Sequence, residues 1–166
     1  MASPYAKQFR RGIKDFGRVV MGISGRCGPE CIGFHPGHYT GPPDDSFIPF
    51  SYTIGNTQKK LPELLVIFSD HETLLLNTLS EIMIKRRRAF DHGEKVDIGG
   101  KVPCMVLDTD ERVADYVVQA DAFYGAGNYR VQQVLVPDPQ GRFPFESECE
   151  RRYRDVPVLG ISPVVM

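Results

Sequence analysis

The chain has 166 residues, of which 42% are hydrophobic and 25% are charged, and its formal net charge at pH 7 is −1. This length and composition predict one domain over residues 1–166 that buries its own core. The charge balance disfavours nucleic acid as a partner, and no apolar run approaches the roughly 20 residues that a membrane span needs. The N-terminal residues lack the apolar centre of a secretory signal, which predicts a cytoplasmic protein.

Hydrophobic periodicity predicts an α+β fold with about five strands and about three helices. Leu64–Phe68 is continuously apolar, as is typical of a central strand, and Ser69 and Glu72 have the spacing of a capping box. Strands and helices do not alternate regularly, so we expect a mainly antiparallel sheet in a single domain. In chain order, the predicted elements are helix 5–16, strands 18–24, 47–54 and 64–68, a leucine-rich helix that ends at 85–88, strand 102–107, helix 110–124, strand 131–136, an edge segment 142–145 and a packed tail 156–159.

Residues 25–46 form a predicted Gly/Pro-rich loop inserted between the first two strands. The loop holds Cys27, Cys31, His35 and His38, which are side chains of the two types that zinc prefers. Only three residues separate the Cys pair from the His pair, fewer than the about 12 residues of a zinc finger. Two interpretations stay open. One is a zinc site, structural if four side chains bind the ion and catalytic if water takes one position; the other is a loop with incidental thiols and imidazoles.

The same loop allows two further chemistries. Cys27 and Cys31 have three residues between them, whereas redox pairs more often have two, and this spacing counts against a redox pair. A nucleophilic hydrolase needs a thiol, an imidazole and an orienting acid, and His71 and Asp70 supply the last two types. The simpler alternative places His71 in the exposed first turn of the leucine-rich helix, without a chemical role.

A small-ligand site is predicted beside the second strand, where Tyr52, Thr53 and Asn56 lead into a turn. Side chains alternate along a strand, so Tyr52 and Ile54 point to one side of the sheet and Ser51 and Thr53 to the other. One of these pairs is expected to face the core and the other to face the pocket. The competing interpretation is two ordinary sheet faces, because few strand residues bind ligands. Asp138 and Arg142 flank the Pro-Gly turn at 137–141, and we expect them to stabilise that turn.

Three stretches occur in a fixed order, with the leucine-rich helix and the Ala122–Gly125 helix end between them: 49–55 (PFSYTIG), 62–67 (PELLVI) and 131–145 (VQQVLVPDPQGRFPF). Together they resemble the bacterial family catalogued as domain of unknown function 4262, over about residues 17–146. The resemblance implies a small, cytosolic, single-domain protein, and it implies no particular reaction.

The chain departs from that family pattern at several positions. Asn56 stands where such sequences usually have Leu, Leu61 where they have His, and Phe145 where Trp is frequent. A site that relies on that histidine is therefore in doubt here. Most of the segment Cys27–His38 is an addition to the family pattern, so any chemistry of that segment belongs to this protein or its subgroup.

Two classes of function remain open. The first is a binding module for a small molecule or a protein, with a zinc-organised Cys/His loop. The second is an enzyme, either a metal-assisted hydrolase that uses this loop or a cofactor-binding protein of flavin type with a pocket beside residues 52–56. The sequence leaves the substrate, the partner and the formation of a homo-oligomer open.

Overall fold

The computed structural model describes residues 5–23, 48–69 and 71–160. The predicted zinc ligands Cys27, Cys31, His35 and His38 lie outside the described residues, as does Asp70. The strands are β1 (Val19–Ile23), β2 (Phe50–Ile54), β3 (Glu63–Ile67), β4 (Glu94–Val96), β5 (Cys104–Asp108) and β6 (Val131–Leu135). The α-helices are α1 (Ala6–Phe16), α2 (Glu72–Arg86), α3 (Val118–Tyr124) and α4 (Arg151–Arg154), and two 3₁₀ helices cover Asn56–Lys59 and Glu111–Asp115.

The six strands form one sheet in the order β1-β2-β3-β6-β5-β4. Four of the five strand pairs are antiparallel, and only β3 and β6 run parallel, with Leu65 opposite Gln133. A parallel pair needs a long crossover, and here the crossover contains α2, β4, β5 and α3. The predicted α+β domain with a mainly antiparallel sheet is confirmed.

Helices cover both faces of the sheet. On one face, α2 packs through Leu76 and Leu79 against Leu64 of β3. On the other face, Phe9 of α1 joins Leu65 of β3 in the second core cluster. Successive residues of a strand point to opposite faces, and because β3 is central both of its leucines are fully buried. Each buried leucine contributes about 2 kcal/mol of hydrophobic stabilisation.

Three element predictions are wrong in detail. The sheet has a sixth strand, Glu94–Val96, which was not predicted. Its side chains give no strand pattern, because backbone pairing with β5 is what holds it in the sheet. The helix predicted over 110–124 is split into the 3₁₀ helix and α3, and the break lets Val117 turn into the core. Residues 142–145 form no strand and lie in a chain of turns that ends at α4.

The capping box predicted at Ser69 and Glu72 does not form. The residue before α2 is His71, which makes no capping hydrogen bond through its side chain. Ser69 Oγ accepts instead from the backbone N–H of His71 over 3.4 Å, and the Glu72 carboxylate accepts from Ser51 Oγ over 3.1 Å. The helix start is therefore fixed by its contact with β2 and its apolar packing against β3.

The C-terminal segment returns to the body of the protein, as predicted. Asp138 is fully buried in the Pro-Gly turn and accepts from the backbone N–H groups of Gln140, Arg142 and Glu150. Leu159 and the neighbouring Val156 join the core cluster below β2 and β3. Among the helices that the structure describes, none combines the length and apolar character that crossing a membrane requires.

Candidate functional site

The three side chains predicted to bind a ligand lie inside the protein. Tyr52 and Thr53 are 0% exposed and Asn56 is 1% exposed. Tyr52 Oη donates to the side-chain oxygen of Gln119, and Asn56 Nδ2 donates to Ser80 Oγ over 2.9 Å. Burial raises the pKa of Tyr52, so its hydroxyl stays protonated. In this conformation a ligand reaches none of the three, and a direct contact with them stays a prediction.

A buried carboxylate organises this region. Glu63 is 0% exposed, and its two oxygens accept from the hydroxyls of Thr53, Thr57 and Tyr124. The backbone N–H groups of residues 55–57 donate to the same carboxylate. Each lone pair is therefore matched by a donor, which is what a buried charge requires. The network fixes the turn between β2 and β3, and it leaves no free oxygen for chemistry.

A cavity of about 590 Å³ opens where β5 ends and β6 begins. Its lining includes residues of the 3₁₀ helix Glu111–Asp115, together with Val117 and Asp121 of the following helical segment. This volume lies within the roughly 300–1,000 Å³ of small-molecule sites. We call it the acidic cavity, because its lining contains the carboxylates of Asp108, Asp110, Glu111 and Asp121.

The four carboxylates have different partners. Asp110 is paired with Arg112 through bonds of 2.7 to 3.1 Å, and these bonds lower the pKa of Asp110. Asp121 accepts from Tyr129 Oη over 2.6 Å. Burial and the Asp121 carboxylate raise the pKa of Tyr129, so that this hydroxyl stays a donor. Glu111 accepts no hydrogen bond from any described side chain. Four carboxylates line the cavity against one cation, Arg130, so its lining is net negative.

Gln132 joins the acidic cavity to the core. It is 3% exposed, and its Nε2 donates to Asp108 Oδ1 over 2.9 Å and to the backbone oxygen of Phe90 over 2.7 Å. These two acceptors determine the orientation of the amide, because a flipped amide would place its oxygen against both of them. Its Oε1 is buried and accepts no hydrogen bond from any residue within 5–23, 48–69 and 71–160.

The neighbouring Gln133 shows that an unpaired amide is not a general feature of this strand. Gln133 Nε2 donates to the backbone oxygen of Pro157 over 2.7 Å, and its Oε1 accepts from the N–H of Leu159 over 2.8 Å. An unsatisfied buried oxygen costs about 1–3 kcal/mol of folding free energy. The Oε1 of Gln132 is as closed to solvent as the buried side chains of Tyr52 and Thr53, so a ligand in the acidic cavity does not reach it in this conformation.

A second, smaller depression of about 380 Å³ adjoins the acidic cavity. Both are lined by Gly127, Tyr129 and Arg130. Lys60 lies in the wall of the second depression and not in that of the first. We call this second site the basic depression, because its charged lining residues are Lys60 and Arg130.

Other sequence predictions fall elsewhere. His71 is exposed and lines a different depression at the start of α2, beside Phe68 and Glu72. His92 accepts from the backbone N–H of Asp108 through Nδ1 over 3.0 Å. The basic side chains of residues 85–88 at the end of α2 are exposed. Within the described part of the chain, no group of three or more His, Cys, Asp or Glu is arranged to hold a metal ion.

A family model named Domain of unknown function (DUF4262) matches residues 13–150. The chain belongs to this family. The comparison with curated proteins found no match, and neither did the comparison with solved structures. The match confirms the family resemblance that the sequence indicated, and it assigns no reaction.

In this DUF4262 protein, two of the stretches that carry the resemblance meet at one carboxylate. The stretch 49–55 supplies Thr53 and Gly55, and the stretch 62–67 supplies Glu63, to which both donate. The polar groups of these motif residues are therefore used to hold the turn between β2 and β3, which is a structural role. Asn56, one of the departures from the family pattern, donates to Ser80 of α2 and belongs to the same buried group.

Sequence reasoning missed the acidic cavity of this DUF4262 protein. Its carboxylates lie on β5, the 3₁₀ helix and α3, and only the fold brings them together. One local signal was available, because Gln132 and Gln133 interrupt an otherwise apolar strand. Buried amides need partners, so a pair of glutamines on opposite faces of a central strand marks two polar contacts.

Proposed function

We propose that this protein is a small-molecule-binding module whose ligand carries an ammonium or guanidinium group held in the acidic cavity. The observation that carries the proposal is the acidic cavity itself, where carboxylates from β5, the 3₁₀ helix and α3 line one concave site of about 590 Å³. An ammonium group has three donors and a positive charge, so it can donate to two of these carboxylates at once.

The charge around the cavity supports a cation. Asp108 and Glu111 are exposed carboxylates at the rim, and Asp121 keeps one oxygen free of described hydrogen bonds after Tyr129 has bonded the other. Arg112 pairs with Asp110 and also interacts with Glu111, and Arg130 adds a cation to the wall, so the four carboxylates outnumber the nearby cations. Carboxylates that line a concave site concentrate cations there and hasten their association.

An organic cation fits this cavity better than a bare metal ion. The carboxylates are too dispersed to form a group of three metal ligands, as judged over the described residues. The wall also contains apolar side chains, among them Val113 and Val117, which suit the hydrocarbon part of an amine. The cavity therefore supplies polar groups at one side and apolar contact at the other.

The test is calorimetry on the full chain with n-butylammonium, with n-butanol as the uncharged probe of similar shape. We expect saturable binding of n-butylammonium that weakens as salt is added, and no binding of n-butanol. Asp108→Asn and Glu111→Gln each lower the affinity about three- to tenfold, because a charge-assisted contact is lost.

The matched control for these variants is Asp155→Asn. Asp155 is exposed, lines neither the acidic cavity nor the basic depression, and its side chain makes no hydrogen bond with a described residue. The substitution Asp155→Asn removes one negative charge outside the cavity, so we expect the affinity for n-butylammonium to stay unchanged. Equal binding of n-butanol, or unchanged affinity in both cavity variants, would contradict the proposal.

The zinc hypothesis is a separate proposal that rests on the sequence. Cys27, Cys31, His35 and His38 supply the residue types for a four-ligand shell. A closed shell would organise the segment, whereas an open position would allow the hydrolase alternative. Binding in the acidic cavity does not depend on either outcome.

A further inference from the structure

Residues 156–160, which follow α4, lie against the sheet without regular secondary structure, and we call them the strap. The strap lies beyond residues 13–150, the part of the chain that the family model matches. Its residues carry no charge. Val156 and Leu159 join one core cluster, whereas Val158 packs against another. The strap is therefore a short apolar peptide that is seated on the matched domain.

A single row of side chains across three strands lies beneath the strap. Leu65 of β3 and Leu107 of β5 are each opposite Gln133 of β6, and all three residues are 0% exposed. The two leucines belong to the two clusters that the strap contacts, so the strap lies across the row. We call this row the floor of the strap groove. A buried amide between two leucines is costly unless its polar atoms are hydrogen-bonded.

The amide of Gln133 is bonded to the backbone of the strap. Its Nε2 donates to the carbonyl oxygen of Pro157 over 2.7 Å, and its Oε1 accepts from the N–H of Leu159 over 2.8 Å. These two backbone groups flank Val158, and they are the groups that an extended chain presents to a neighbouring strand. The carbonyl oxygen of Leu159 accepts in turn from the N–H of Asp110 over 2.8 Å. Other extended peptides present the same backbone groups, so these bonds do not require the strap to belong to the same chain.

The side chains of the strap restrict which peptides fit the groove. Leu159 is 4% exposed and Val156 is 9% exposed, so both act as anchors. Gly160 follows the second anchor, and a Cβ at this position would lie 2.1 Å from the backbone oxygen of Asp108. The carbonyl oxygen of Gly160 accepts from Arg112 Nη2 over 3.4 Å. The strap groove therefore selects an uncharged segment that has two apolar anchors three positions apart and a glycine after the second.

We propose that the strap groove is a peptide-binding site, in which an extended apolar segment of a partner protein, with the pattern of the strap, replaces the strap. In this mode of recognition, backbone hydrogen bonds supply the affinity, and the pockets for side chains supply the specificity. The strap is then a competitor within the same chain, and it keeps the apolar floor out of water when no partner is bound. The inference goes beyond the proposed function and does not depend on the acidic cavity.

The first test is amide hydrogen exchange on the natural full chain, followed residue by residue by NMR. The strap has to leave the groove while the sheet stays folded. We therefore expect the N–H groups of Leu159 and Asp110 to exchange together, through a local opening, at least about tenfold faster than that of Leu65 in β3. Equal protection of all three would overturn the inference, because the strap would then be as permanent as the central strand.

The second test is fluorescence anisotropy with a labelled synthetic peptide that has the sequence of residues 155–162. The protein is the full chain with Leu159→Ala, which weakens one anchor of the strap. We expect this variant to bind the peptide at least about tenfold more tightly than the natural protein, whose intact strap competes at a high effective concentration. Absence of binding to the folded variant would overturn the inference.

Two altered peptides test the geometry without changing the protein. The peptide with Gly160→Val should bind the Leu159→Ala protein at least about tenfold more weakly, because a side chain at this position collides with the backbone of Asp108. The peptide with Pro157→Ala is the control: it keeps the carbonyl group that Gln133 binds, and its affinity should change less than about threefold. Equal binding of the glycine-substituted and natural peptides would contradict the proposed pose.

A substitution in the groove completes the test. Gln133→Leu, added to the Leu159→Ala protein, removes both amide bonds to the peptide and should lower its affinity at least about tenfold. Gln58→Leu is the control, since Gln58 is exposed and its side chain makes no hydrogen bond with a described residue, and it should leave the affinity unchanged. Thermal melting confirms that each variant is folded. If Gln133→Leu does not fold, the comparison of the two altered peptides still decides the outcome.

Discussion

Tyr124 Oη donates a hydrogen bond of 2.9 Å to Glu63 Oε2, joining the last residue of α3 to the first residue of β3. The two residues are 61 positions apart in the chain. Burial and the nearby Glu63 charge raise the pKa of Tyr124, so the tyrosine remains the donor. This bond attaches the helix that forms one wall of the acidic cavity to the centre of the sheet.

Glu63→Gln should destabilise the protein by about 2–4 kcal/mol, because the amide nitrogen replaces an acceptor that several donors surround. The measurement is the free energy of unfolding from urea denaturation at pH 7. Glu148→Gln is the control, since Glu148 is an exposed carboxylate with one loose ion pair of 3.6 Å, and it should change stability by less than about 0.5 kcal/mol. Equal stability of the two variants would show that the Glu63 network is dispensable.

Gly55→Ala should cost more than about 3 kcal/mol for two separate reasons. Gly55 has a φ of 138°, and an added Cβ would lie 2.7 Å from both Arg18 Cα and the carbonyl oxygen of Gly17. Gly99→Ala is the matched control: Gly99 has a φ of 90° but nothing within 4 Å, so only backbone strain of about 1–2 kcal/mol applies. Urea denaturation of both variants separates the cost of backbone strain from the cost of steric collision. A similar loss of unfolding free energy in the two variants would contradict the close approach of Gly55 to Gly17 and Arg18.

Asp138 should make stability depend on acid pH. Burial raises the pKa of Asp138, but the backbone N–H groups of Arg142, Glu150 and Gln140 outweigh it and lower that pKa overall. A carboxyl whose pKa is lowered by folding contributes stability above its unfolded pKa of about 3.9, and this contribution is lost as pH falls through the folded pKa. The free energy of unfolding of the natural protein should therefore decline below about pH 4.

The comparison for this prediction is Asp138→Asn, followed by urea denaturation across the same pH range. The variant should be less stable at pH 7 and should decline less steeply in acid, so that the two curves converge. Asp155→Asn serves as the control and should keep the natural pH dependence. Parallel curves for the natural protein and Asp138→Asn would refute the role of this carboxyl.

Metal content tests the zinc hypothesis. Protein purified without a His tag or chelator should carry near-stoichiometric zinc by plasma mass spectrometry, and Cys27→Ser/Cys31→Ser should lose it. Alkylation provides a second measurement, because Cys104 and Cys149 are buried and burial raises the pKa of Cys104 to about 11, so both react slowly. Rapid alkylation of two thiols in metal-free natural protein would rule the site out.

Much of the fold could be predicted from local patterns. Leu64–Phe68 revealed the central strand because a strand buried on both faces must be apolar throughout. The strand Glu94–Val96 could not be predicted in this way, since it is held by backbone pairing with β5 and its side chains show no strand-like hydrophobic pattern. The predicted helix 110–124 failed at Val117, where packing in the core outweighed the periodicity of the surrounding residues.

The sequence by itself determined the α+β class, the family, and the residue types available for chemistry, because these depend on short-range periodicity and on local motifs. Only the tertiary structure decided the roles of particular side chains. Tyr52, Thr53 and Asn56 became interior contacts, whereas Asp108, Asp121 and Gln132 converged on a cavity from three different elements. Burial and the approach of distant residues arise from how the sheet is ordered, and that order depends on packing over the whole chain.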